Sequence, residues 1–244
     1  MTFYEALEIA CKNLSQLSLK FIGPPTGEGV YLSAAGDSYD GSRLILTDLI
    51  RQFHVKGEPI AMIPNRDNLV VAGSDDIEGL NAMLAMTTEA LKEPRPISGI
   101  ALRLDGDEWV PWLPDVSHSL YKEFQQLHLH SLGRDYAEQK DLLDKMNIKN
   151  GVDVFVATFS IIQAPDGKIF SYAVWAEGVV ALLPETDMVV FTRRDGETAM
   201  VERQKALDEV GDLMERLEMY PPRYRVTGFP SEEQLAAMGN RLQK

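Results

Sequence analysis

AMIPNRDNLVV, residues 61–71, is the stretch on which the reading of the fold depends. Two short apolar runs flank Pro64-Asn65-Arg66-Asp67, a composition that interrupts regular structure and favours a turn between strands. The pattern returns as ALLPETDMVVF, residues 181–191, with Ala, Pro and Asp at matching places and the two prolines 120 residues apart. VYLS and VFVA also correspond upstream, as do Asp40-Gly41 and Asp166-Gly167. A period near half of a 244-residue chain points to an old duplication. The expected architecture is α+β, with two tandem, divergently repeated units at 1–114 and 115–244. Each would be a mostly antiparallel sheet with helices packed on one face.

Working outward, Phe3, Leu7, Ala10, Cys11, Leu14 and Leu17 recur at helical spacing, which predicts an amphipathic helix over 3–17 with Cys11 buried in its stripe. LSLKFIG and EGVYLSAA read as strands around the PPTGEG turn. Leu44, Ile45, Leu49, Ile50 and Phe53 predict a helix over 42–53. After the strands PIAMI and NLVVAG, Asp75 and Glu78 fit a capping pair for a helix reaching Leu91, closed by PRP. SGIALRL and EWVPWL read as strands, and the prolines of VPWLPDVS mark the boundary between halves.

In the second half, helices are expected over 118–131 and 134–146, broken at Gly133. VDVFVATFSII and KIFSYAVWA are strands around the hairpin turn Pro165-Asp166-Gly167. VVALL and MVVFT form a second strand pair, a helix spans 198–218, RYRVTG is a strand, and Ser231 caps a helix over 231–242.

Residues 13–112, through YDGSRLILTDLI, IAMIPNRDNLVVA, EPRPIS and DGDEW, resemble the YtpQ-like family of uncharacterised bacterial proteins. The resemblance implies a shared fold unit and carries over no catalytic or binding residue. It favours reading YDGSR as the entry to a helix.

Composition bounds the function. With 24 basic against 37 acidic residues the net charge is −13, a field that repels phosphate backbones and anionic membrane surfaces. One cysteine allows no internal disulfide. MTFYEALEIACKNL lacks a basic start and an unbroken apolar run, so no signal peptide is read there, and no stretch reaches the ~18 apolar residues that cross a bilayer. A cytoplasmic protein without nucleic-acid or membrane partners is expected.

The sharpest catalytic motif is AAGDSYDGSR, residues 34–43. Its GDSY resembles the nucleophile block of the SGNH esterases, and DVSH places Asp115 three residues before His118, as that family's triad does. Ser38 would attack, His118 would act as base and Asp115 would orient it. The family's central Gly block and its Gly-x-Asn-Asp block are absent between these motifs, and over a hundred residues follow His118. The competing reading makes Asp40 a helix N-cap accepting the amides of Ser42 and Arg43, an arrangement typically worth ~1 kcal/mol, with Ser38 facing solvent. That reading is preferred.

No metal site is expected. His128 and His130 are two residues apart, about 200° around a helix, and the acidic clusters DSYDG, GSDDIE and LDGDEW lack calcium-loop spacing. Of the repeated turn, Asp67 and Asp187 occur in both copies and are expected to bond their own turns, whereas Arg66 is replaced by Thr186. Arg66 and Asp67 are therefore candidate binding residues. Trp109 and Trp112, beside the boundary prolines, are candidates for packing the halves together or, with Trp175, for lining a small-molecule pocket between them. The leading expectation is a non-enzymatic, adaptor- or chaperone-like protein that binds another protein and needs no cofactor.

Overall fold

A computed structural model of the chain describes residues 1–24 and 29–238. The centre of the PPTGEG turn and the last residues of the helix read to 242 lie outside the described residues. The chain forms two compact units, Met1–His128 and Leu129–Lys244. The division falls inside a helix, beyond the prolines where the sequence reading put it.

In the first unit α1 (Phe3–Ser15) begins with a capping box: the Thr2 hydroxyl accepts the Glu5 amide, and the Glu5 carboxylate accepts the Thr2 amide. Of its stripe only Leu14 is buried; Phe3, Tyr4 and Ile9 are exposed, and Cys11 is half-buried rather than enclosed. There follow β1 (Phe21–Ile22), β2 (Tyr31–Ser33), a 3-10 turn (Gly41–Ile45), α2 (Thr47–Ile50), β3 (Pro59–Asn65), β4 (Asn68–Gly73), α3 (Ile77–Ala90), β5 (Leu102–Asp105) and β6 (Glu108–Pro111). The strands form one sheet in the order β1-β2-β4-β3-β5-β6, antiparallel throughout.

Strand alternation divides the core of this unit. Ile60, Met62, Val70 and Ala72 face Leu80, Met83 and Leu84 of α3. Ala61, Leu69 and Val71 face the other way, onto Ile50, Leu44 and Phe53. That second cover is the segment read as one helix over 42–53. It is instead a 3-10 turn and a four-residue helix, because the backbone leaves helical geometry at Leu46 (φ −85°, ψ 65°). The cap of α3 also moves by one residue. Asp76 accepts the Gly79 amide at 3.0 Å, while Asp75 is occupied by the Ser74 hydroxyl and by the carbonyl of Lys56. At Gly73 a Cβ would lie 2.1 Å from the Lys56 carbonyl oxygen, so only glycine lets the two backbones meet.

α4 (Tyr121–Asn150) is a single 30-residue helix that runs straight through Gly133. Interior glycine costs only ~1 kcal/mol, and here the packing of Leu129, Leu132 and Tyr136 on Phe159, Ile161 and Ile169 holds the helix together. The rest of the second unit is β7 (Phe155–Val156), β8 (Ser160–Gln163), β9 (Ile169–Ala176), β10 (Ala181–Pro184), β11 (Met188–Thr192), β12 (Thr198–Glu202), α5 (Arg203–Val210), a 3-10 turn (Gly211–Leu213), β13 (Met214–Leu217), β14 (Arg223–Val226) and α6 (Glu232–Ala237). It holds two four-stranded sheets, β13-β14-β10-β7 and β12-β11-β9-β8. The β7–β10 and β9–β11 pairs are parallel and the others antiparallel.

Two expectations are corrected here. β10 and β11, the second copy of the repeated strands, do not pair with each other but enter different sheets, whereas β3 and β4 form a hairpin. The helix expected over 198–218 is strand, short helix, 3-10 turn and strand; Ala199 and Val201 are buried between exposed Thr198 and Glu202, the period of a strand. The duplication therefore remains a likeness of sequence without a matching strand order. The hairpin at Pro165-Asp166-Gly167 does form, with Gly167 at φ 83° and the Ala164 amide donating to Lys168.

Arg223 ties α4 to the sheet β13-β14-β10-β7. It has no exposed surface, and it donates to the carbonyls of Ala157, Leu182 and Tyr136 and to Oε1 of Gln139 at 2.6–3.3 Å, above the Tyr136 ring. Burial pushes its pKa down to about 10, and the carbonyls supply the solvation that water would have given.

Candidate binding site

The loop AAGDSYDGSR is held by a buried ion network. Arg43, fully buried, forks onto Asp37 with Nη1–Oδ1 at 3.0 Å and Nη2–Oδ2 at 2.6 Å, and also donates to the carbonyl of Ser18. Those hydrogen bonds hold the Asp37 carboxyl down to about 2. Asp40 is 1% exposed and lies 3.7 Å from Arg43. Its carboxylate accepts the Ser33 hydroxyl and the amides of Ala35 and Gly36 at 2.9 and 3.1 Å. The cap onto Ser42 and Arg43 does not form. Asp40 tethers backbone that precedes it, because the burial of Arg43 draws the carboxylate inward, away from the first turn.

The esterase residues are not brought together. Ser38 is exposed in left-handed backbone (φ 65°), and no hydrogen bond joins its hydroxyl to an imidazole among the described residues. The Asp115 carboxylate accepts the amide and hydroxyl of Ser117, which lowers its pKa. His118 Nδ1 accepts the Leu120 amide, so the nitrogen that an orienting carboxylate would need is already used. Two of the acidic clusters meet counter-charges, Asp37 and Asp40 at Arg43, Asp105 at Arg103 and Asp107 at Arg51, while in the third Asp76 caps a helix.

The network bears on the repeated turn. Gly41, directly after Asp40, donates its amide to the carbonyl of Arg66 at 2.9 Å. Beside it Asn65, 3% exposed, uses its whole carboxamide: Oδ1 accepts the Asp67 amide and Asn68 Nδ2, and Nδ2 donates to Glu93 Oε2 at 2.9 Å and to the Ala90 carbonyl. Asn65, not Asp67, closes the turn; the Asp67 carboxylate takes Arg66 Nε at 3.3 Å instead. In the second unit Asp187 reaches across to the amide and hydroxyl of Ser171, both at 2.7 Å, and Thr186 is buried with its hydroxyl on the Met188 carbonyl. Asp187 thus braces β9 rather than its own turn, and the Asp67 carboxylate meets Arg66 rather than the turn's amides.

The chain following α3 is pinned against the turn by the amides of Ile97 and Ser98, which donate to the carbonyls of Pro64 and Ile63. Between turn and loop lies an open cleft of about 390 Å³ lined by Asn65, Arg66, Asp67, Glu93, Pro94 and Arg95. Arg66 and Arg95 both reach it. Arg66 keeps its two terminal nitrogens uncommitted, and the Arg95 guanidinium has no hydrogen bond or ion pair among the described residues. Arg95 stands at φ 63° immediately before Pro96, where extended backbone is favoured. Left-handed backbone costs a non-glycine residue ~1–2 kcal/mol.

Of the residues that line this cleft, Arg66 and Asp67 were singled out in the sequence and Glu93 and Arg95 were not. EPRP reads from sequence only as the stop of a helix, and the sole signal was a basic residue between two prolines. The tryptophans take other roles. Trp109 donates to the Leu44 carbonyl within the first unit, Trp112 packs edge-on to Phe124, and Trp175 is fully buried in the second unit with its indole on the Gly228 carbonyl.

Fold and site together define an α+β protein of two units carrying a small surface cleft with two available guanidiniums. The chain matches no family model, no curated protein and no solved structure. Among the described residues no helix is long and apolar enough to cross a membrane.

Proposed function

We propose that this chain is a non-enzymatic, adaptor-like protein of the bacterial cytoplasm, related to the YtpQ-like family, and that it meets a protein partner at the cleft between the Asn65–Asp67 turn and the Glu93–Arg95 loop. One observation carries the reading. The Asn65 carboxamide and the braced carbonyls of this turn are engaged in holding it, while the guanidiniums of Arg66 and Arg95 are presented outward without a full set of acceptors. A rigid frame that displays uncommitted arginines is the arrangement of a recognition surface, and arginine is enriched where binding energy concentrates.

The test is capture of partners from native lysate with the intact chain and with an Arg66→Ala/Arg95→Ala variant of unchanged melting temperature. A stoichiometric partner retained by the former and lost by the latter supports the reading. A partner retained equally by both, or none at all across salt conditions, removes it.

A further inference from the structure

Resting on that reading, we infer that the cleft takes a single carboxylate, an Asp or Glu side chain or a chain terminus, presented by a partner segment that is otherwise neutral or basic. Charge at two length scales leads there. Within the cleft, Arg95 offers its whole planar fork and Arg66 its two terminal nitrogens, and guanidinium donors match a carboxylate in bidentate geometry. The cleft also keeps two carboxylates of its own. Glu93 is fixed by Asn65 at 2.9 Å and Asp67 by Arg66 at 3.3 Å. These two carboxylates offset the formal charge of the two arginines, so the cleft has little net attraction for a multiply charged anion and favours a single planar group held by directional hydrogen bonds. At longer range the net charge of −13 repels an acidic partner and draws in a basic one. One negative group among neutral or positive neighbours satisfies both fields.

Two further features agree. The volume of about 390 Å³ suits one or two side chains rather than a large cofactor. Arg95 sits where glycine would be the less strained residue. A side chain kept on backbone of that kind, with no partner among the described residues, is the pattern of a residue whose contact lies outside the chain.

The test probes an array of random synthetic peptides with the intact chain. Each peptide is presented with a free and an amidated C-terminus, with Asp and Glu changed to Asn and Gln, and with phosphoserine in their place. Binders are expected to carry one carboxylate flanked by Lys or Arg. Replacing that carboxylate by its amide weakens binding about tenfold or more, as loss of a charge-assisted pair does. Arg95→Ala has the same effect and, combined with the amide peptide, adds little to it, while Arg95→Lys keeps part of the affinity. The free-terminus and side-chain arms separate the two sources of the group. Binders that lack a carboxylate, a preference for phosphoserine, indifference to Arg95→Ala, or no binder at all would each overturn the inference. These outcomes are separate from the lysate capture: a partner lost on substitution of both arginines, yet indifferent to its own carboxylates, leaves the recognition surface standing and removes only its chemistry.

Discussion

The amide of Gly41 and the carbonyl of Arg66 are joined at 2.9 Å, so the loop that resembles a nucleophile block is a brace for the cleft. A Cβ at position 41 would stand 2.8 Å from Ile63 Cγ2 and 3.2 Å from the Asn65 carbonyl oxygen. Neither neighbour is the loose end of a flexible side chain. Gly41→Ala is expected to cost about 1–3 kcal/mol in urea unfolding and to weaken partner binding, since it pushes directly on the turn. Unchanged binding in the folded variant would show that the brace and the cleft are independent.

Asp37 gives the first unit an acid sensitivity. Hydrogen bonds from Arg43 hold its carboxyl near 2, against an ordinary 3.8. The unfolded chain therefore takes up the proton first as pH falls. The contribution of this pair is complete above pH ~4 and disappears as pH drops from there toward 2. Asp37→Asn is expected to flatten that part of the stability profile, measured as melting temperature against pH. An identical acid limb in wild type and variant would refute it.

Asp40 and Ser38 should behave oppositely. Asp40→Ala strands two amides, the Ser33 hydroxyl and one face of a buried guanidinium, and should cost about 3 kcal/mol or more. Ser38→Ala should stay within about 0.5 kcal/mol, as exposed substitutions do, and wild type should not react with a fluorophosphonate probe. Labelling that depends on Ser38 would restore the hydrolase.

Arg95→Gly separates stability from recognition. Relief of left-handed strain, offset by the greater freedom of glycine in the unfolded chain, should raise stability by up to about 1 kcal/mol. The same change should abolish capture of the partner. A stabilised variant that still binds would show that Arg95 has no part in recognition.

How legible was this in the sequence? The short apolar runs at 59–63 and 68–73, and the proline and glycine punctuation around them, placed the central hairpin of the first sheet because local pattern and final pairing coincide there. The second unit resisted for the opposite reason. β10 and β11 look like the hairpin β3–β4 residue by residue, yet β10 joins β14 and β7 while β11 joins β12 and β9, and local pattern carries no information about which of several strands wins the pairing. Val201 and Met214 fit a helical stripe as readily as two strands, so periodicity alone misread 198–218. At the cleft, Arg66 drew notice in the sequence because the second copy lacks it. Arg95 was missed because its meaning lies in a torsion angle and in a neighbour thirty residues away. Asp40 was recognised as a tether, with the wrong amides, because nothing in the local pattern shows that the arginine three residues on is buried.

The second unit's own version of the turn is closed: Thr186 is inside, and Asp187 is spent on Ser171. The second copy of the turn thus offers no counterpart to the Arg66 side of the cleft. Titrated with its ligand, the protein should saturate at one equivalent per chain, and any bridging of two partners would have to come from association of whole molecules.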